Sequence, residues 1–173
     1  MHWVKTKIKT ITIWFSILVA AVTCFLYFYP FPTKINEEFS AIQYRVGKPD
    51  SAEKTTVKIN GTLQRPLFRN RTFKGEFMID NYEFTKNYNL IELTFHQNTR
   101  NGIASLVYTT VEDGKPILES FGAMWISEDF EELNIVVLEP IGESRKTGTD
   151  LRISAPANSY EEAMEINKKL YNE

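Results

Sequence analysis

The chain has 173 residues, a formal net charge of −2, two histidines and a single cysteine. One cysteine excludes a disulfide framework and a cysteine-ligated zinc site. The slightly acidic balance argues against nucleic acid as a general partner. No motif specifies a reaction, so the informative features are anchoring, topology and strand pattern.

The first nine residues contain Lys5, Lys7 and Lys9 and no acid. Thr10–Tyr29, TITIWFSILVAAVTCFLYFY, carries no charge. Twenty helical residues at about 1.5 Å each span about 30 Å, the thickness of a bilayer's hydrocarbon core. The segment therefore reads as a single-pass transmembrane anchor. A cleaved signal peptide calls for a shorter apolar run of about 7–15 residues and a small-residue cleavage site; bulky aromatics occupy that position here. A lipoprotein signal ending at Cys24 fits poorly, because Phe25–Tyr29 follows it where a polar tether belongs. The lysines ahead of the segment place the N-terminus in the cytoplasm and residues 39–173 outside. An external domain without disulfides fits a bacterial cell membrane. Outside the lead there are seventeen basic residues against twenty-two acidic ones, a net of −5.

Pro30 and Pro32 stop the helix, and residues 30–38 read as a short extended tether. Phe39–Val46 is a first strand, and Gly47–Glu53 is a loop rich in turn formers. Three stretches then alternate with a period of two: Lys54–Leu63, Thr72–Asp80 and Leu90–His96. Their odd positions (Val57, Ile59, Leu63, Phe73, Phe77, Ile79, Leu93 and Phe95 among them) form the buried face of an antiparallel sheet wetted on its other side. Ile103–Val111, Pro116–Ile126 and Leu133–Leu138 are apolar in both registers and need cover on both faces. Short turns at Gln97–Gly102 and Glu112–Lys115 imply an antiparallel meander. Ser127–Glu132 reads as a helical turn, and Pro140–Asp150 as the loosest segment.

A C-terminal helix is signalled by the capping box Ser159-Tyr-Glu-Glu162, by acids at its start and Lys168 and Lys169 near its end, and by the stripe Tyr160, Ala163, Ile166, Leu170. The expected architecture is α+β: the N-terminal transmembrane helix, then a meander of about six to eight strands with the C-terminal helix packed on it. A small closed β-barrel plus helix is the alternative.

Residues that could carry function are few. Arg65, Phe68, Arg69, Arg71 and Lys74 form a basic, aromatic loop in an otherwise acidic domain. Arginine beside an exposed aromatic suits an anionic lipid, an envelope polymer or another membrane protein. A hairpin connection with solvated charges is the plainer reading. His96, with Glu92 and Thr94 on its strand face, could serve a hydrolase as base, but no nucleophile elbow accompanies it. Two side chains, His96 and Glu92, are too few for a metal, and nothing implies a cofactor. The acids Glu128, Asp129, Glu131 and Glu132 surround Phe130 without a calcium-loop pattern. The expected function is a non-enzymatic binding domain acting close to the membrane surface. An alternative is a carrier for a lipid or small apolar ligand, with a cavity lined by Phe77, Phe95, Phe121 and Trp125.

Overall fold

The computed structural model describes residues 2–96, 102–127, 130–141, 146–148 and 150–171. The turn expected at Gln97–Gly102, except Gly102 itself, lies outside them, as do Glu128, Asp129 and residues 142–145 and 149.

The apolar N-terminal segment forms helix α1 (His2–Phe28). Its Ile11–Phe28 stretch is long and apolar enough to cross a membrane, and none of it is buried against the rest of the chain. The helix ends two residues before Pro30, as the proline requires.

The chain then enters strand β1 (Pro32–Arg45) almost at once. The stretch read as a tether is therefore the first half of a strand: Pro32–Gln43 pairs in unbroken register with Glu53–Gln64 of β2 (Lys48–Gln64). The loop expected at Gly47–Glu53 shrinks to a tight turn at Gly47 (φ +77°), a conformation glycine adopts without a Cβ penalty. A register shift between Gln43 and Arg45 follows, and Ser51 stabilises it by accepting from the Arg45 amide (2.8 Å) and donating to the Lys48 carbonyl (2.6 Å).

Strand β3 (Arg71–Ile79) and the helical turn α2 (Phe84–Asn87) come next. The run expected over Leu90–His96 is broken into β4 (Asn89–Leu90) and β5 (Leu93–Phe95). Then follow β6 (Ala104–Glu112), β7 (Lys115–Ile126) and β8 (Leu133–Val137). A small ribbon of β9 (Glu139–Ile141) and β10 (Lys146–Gly148) leads to β11 (Leu151–Ala155) and helix α3 (Tyr160–Tyr171).

The main sheet has nine strands in the order β4-β6-β7-β8-β11-β1-β2-β3-β5, and every pairing in it is antiparallel. Two meanders, β1-β2-β3 and β6-β7-β8, are joined side by side through β11, which the sequence pattern did not disclose. The sheet curls into a half-barrel whose two edges are pieces of one stretch. Residues 89–91 bond to β6, with the Ile91 amide donating to the Val107 carbonyl. Leu93–Phe95 pair with Phe73–Arg71 of β3, and His96 bridges back to Ile103. Strand Asn89–His96 breaks because it changes partner midway. The closed-barrel alternative is approached but not completed: from Lys74 to Ile79, β3 has no strand partner on that edge among the described residues.

Side chains fill that seam. The Tyr108 hydroxyl donates to the Phe77 carbonyl (2.8 Å), and the Thr85 hydroxyl accepts from the Ile79 amide (2.9 Å). Burial pushes the Tyr108 phenol well above its ordinary pKa because the charged form would lose its hydration. An open cleft of about 270 Å³ lies alongside, lined by Phe77, Met78, Tyr88 and Leu90 among others.

Inside the curl, the residues read as the odd face are buried, including Val57, Ile59, Leu63, Phe73, Phe77, Ile79, Leu93 and Phe95. Rings meet rings: Phe73 lies 5.3 Å from Phe130, and Phe84 lies 5.4 Å from Tyr108 and 5.7 Å from Phe121. Of the four residues expected to line a ligand cavity, Phe77, Phe95 and Phe121 belong to this packed core. Trp125 does not. The pairing of β6 with β7 skips Phe121 between Ser120 and Gly122. Such a bulge reverses the facing of everything beyond it. Trp125 therefore lies against Tyr171 of α3 (4.9 Å) on the other side of the sheet.

Helix α3 covers that side over β11, β8 and β1. Ser159 accepts from the Glu162 amide (3.3 Å), while Glu162 reaches back to the Asn158 amide (2.7 Å), a capping box displaced by one residue on its return bond. Beneath the helix runs a buried polar chain. Tyr44 donates to the Ala163 carbonyl (3.2 Å) and meets Ser154 (3.1 Å). Ser154 donates to Asn134 (3.0 Å), and Asn134 donates to Asn167 (3.0 Å). Every member has a partner, as burial demands.

Candidate membrane-proximal site

The junction of α1 with β1 is a structured turn. The Tyr29 ring stacks on Phe25 (5.0 Å) and meets Phe31 edge-on (4.9 Å). Phe31 takes a left-handed conformation, φ +43°, uncommon for a non-glycine residue and maintained here by its surroundings. The β2–β3 loop closes over this turn because β2 runs antiparallel to β1 and must end where β1 begins. The Arg65 amide donates to the Pro30 carbonyl (2.7 Å), and its guanidinium donates to the Thr33 hydroxyl (3.0 Å).

The loop then lies along the helix end. Phe68 stacks on Tyr27 at 6.0 Å with rings 20° apart. Arg69 donates to the Phe28 carbonyl (3.3 Å), one of the terminal carbonyls a helix leaves unbonded, and its cation suits the negative end of the helix. Leu67 and Phe68 are 57% and 65% exposed, so the loop presents an apolar tip beside the end of α1.

The five basic and aromatic residues thus divide. Arg65, Phe68 and Arg69 gather at the helix end. Arg71 turns the other way: its guanidinium carbon lies 5.9 Å over the Phe95 ring, and it donates to the Ser127 carbonyl (3.3 Å). It ties the β7–β8 connection to β3. Lys74 lies exposed on the outer side of β3, opposite Thr62 in register.

His96 is exposed and meets the Asn70 amide (3.4 Å) through Nδ1. Among the described residues no cluster of three or more His, Cys, Asp or Glu side chains could hold a metal ion. Phe130 is buried between Phe73 and Phe95. Its turn is held by the Ser127 hydroxyl, which accepts from the amides of Glu131 and Glu132 (3.0 Å each).

At the opposite end of the sheet, Arg45 bridges Glu139 (2.8 Å) and Asp150 (3.0 Å). Slight burial pushes the Asp150 carboxyl up. The Arg45 hydrogen bond, aided by a backbone bond and nearby cations, outweighs this and holds it below its ordinary value. Sequence reasoning found the basic loop but not its neighbour: nothing in residues 65–74 indicates that the end of α1 lies against them. Comparisons with family profiles, with curated proteins and with solved structures find no match.

Proposed function

We propose that this protein is a single-pass membrane protein with a cytoplasmic N-terminus, whose β-rich domain stands outside the cell membrane and binds an anionic component at the membrane surface. The observation that carries the reading is the three-residue passage from α1 into β1, held by the Arg65–Pro30 bond. A domain joined in this way works within the reach of the bilayer. The lysines at 5, 7 and 9 support the orientation. Arg65 and Arg69 supply cations at the level where headgroups begin. A binding role rather than catalysis is favoured by His96, whose described contacts are the Asn70 side chain and the Ile103 backbone.

The test combines alkaline extraction with protease access. The protein is expected to stay in the membrane pellet and to lose its domain to protease added outside intact spheroplasts. Charge reversal at Arg69 is expected to weaken retention of the detergent-solubilised protein on anionic vesicles. Release by alkali, or cleavage only after the membrane is opened, would overturn the reading.

A further inference from the structure

The uncharged stretch of α1 runs from Thr10 to its last residue, Phe28. As a helix it spans about 28 Å, close to the hydrocarbon thickness of a bilayer. Phe28 therefore marks the boundary between hydrocarbon and headgroups, and Tyr27 lies just inside it. Any side chain stacked on Tyr27 occupies the same layer. Phe68 does so, and Leu67 beside it is equally uncovered by protein. Aromatic rings favour this interfacial depth, and arginines beside an apolar anchor reach phosphate oxygens without leaving it.

We propose that the β2–β3 loop is a second membrane-contact site: Leu67 and Phe68 insert into the interfacial layer of the bilayer beside α1, while Arg65 and Arg69 lie at the phosphates of phospholipid headgroups. The inference rests on reading α1 as a membrane span and adds what that reading does not require. A single helix leaves a domain free to rotate and tilt. A helix plus an inserted loop sets its pose.

The experiment uses the full chain reconstituted in phosphatidylcholine–phosphatidylglycerol vesicles. In a Cys24→Ser background, a nitroxide is placed by Leu67→Cys or Phe68→Cys. Asp113→Cys at the far β6–β7 turn serves as the aqueous reference, and Leu18→Cys as the hydrocarbon reference. All four positions are on the surface or on the helix, so the core is untouched. Collision with a water-soluble nickel chelate is expected to be several-fold lower at 67 and 68 than at 113, and collision with oxygen is expected to fall between 113 and 18. Labels at 67 and 68 that meet the chelate as freely as the label at 113 would overturn the inference. Alkaline extraction of the same vesicles separates the two readings. If the protein stays in the pellet while 67 and 68 remain water-accessible, the loop inference alone fails; if the protein is released, the anchor itself fails.

Discussion

Replacing Tyr108 by phenylalanine tests how the half-barrel is held at its seam. The Tyr108 hydroxyl is fully buried and bonds to a carbonyl that no strand reaches. Phenylalanine keeps the ring and leaves the Phe77 oxygen without its donor, which costs about 1–3 kcal/mol. A pH dependence follows from the same burial. The phenol's pKa is raised in the folded state, whereas in the unfolded chain it ionises near its ordinary value of about 10. Above that pH the unfolded state has released a proton that the folded state still holds. Folding stability then falls by up to about 1.4 kcal/mol for each further pH unit. The contribution is complete below pH 10 and disappears as pH climbs towards the folded value. Tyr44 and Tyr82 are also raised by burial, but they act alike in both proteins and cancel in the difference. Urea titration of the full chain in mild detergent, followed by near-ultraviolet circular dichroism, should therefore show Tyr108→Phe less stable at pH 7. The gap should narrow as pH is raised past 10. Equal stability at pH 7, or a gap that stays constant to high pH, would refute the assignment of Tyr108 as the seam's donor.

Two further perturbations address other parts of the fold. Gly75 faces Gly61 across β2 and β3, and a Cβ there would lie 2.5 Å from the Gly61 Cα and closer still to the Asn60 carbonyl. Gly75→Ala should thus destabilise by about 1–3 kcal/mol, as overpacking does, and a variant as stable as the parent in the same titration would contradict the close approach. Under α3, Asn134→Ala and Asn167→Ala each break the buried polar chain, and a double-mutant cycle should return a coupling of at least about 0.5 kcal/mol, with additive losses counting against a direct bond.

Much of the fold was legible where one sheet face is wet. In β2 and β3 the alternation of Val57, Ile59, Phe73 and Phe77 with lysines, threonines and glutamates reports that asymmetry directly. The signal fails where both faces are covered. All five residues of β11 are buried, yet Arg152 and Ser154 interrupt its apolar residues. Ser154 belongs to the chain beneath α3, and the Arg152 guanidinium lies 4.6 Å over the Tyr171 ring. Both are paid for by partners more than fifteen residues away or on another element, which periodicity cannot see. The start of β1 was lost for the opposite reason. Residues 32–41 pair with β2 but not with β11, whose register begins at Ile42, so Lys34, Glu37 and Glu38 face water and resemble a linker. Trp125 was placed on the wrong face because a bulge at Phe121 leaves no mark in the order of apolar residues. For the basic loop, composition identified its chemistry, but its meeting with Tyr27 depends on the β1–β2 hairpin returning the chain to its starting point.

That return also polarises the molecule. β1 has 14 residues and reaches at most about 46 Å at 3.3 Å per residue, with α1 at one end and Arg45 at the other. On the proposal that α1 spans a membrane, a domain on a flexible tether would present every orientation to it. Here Tyr29 stacks on Phe25 and meets Phe31 edge-on through the junction, and the Arg65 amide ties β2 back to Pro30. The apolar tip of the loop then acts on a body with few orientations left. Two features favour the proposed pose: the junction geometry and the exposed Leu67 and Phe68. In that pose the β6–β7 turn, with Val111 and Leu118 exposed and Glu112 and Asp113 beside them, is carried farthest from the bilayer. On that proposal the two ends of the sheet meet different chemistry, lipid at one and water at the other.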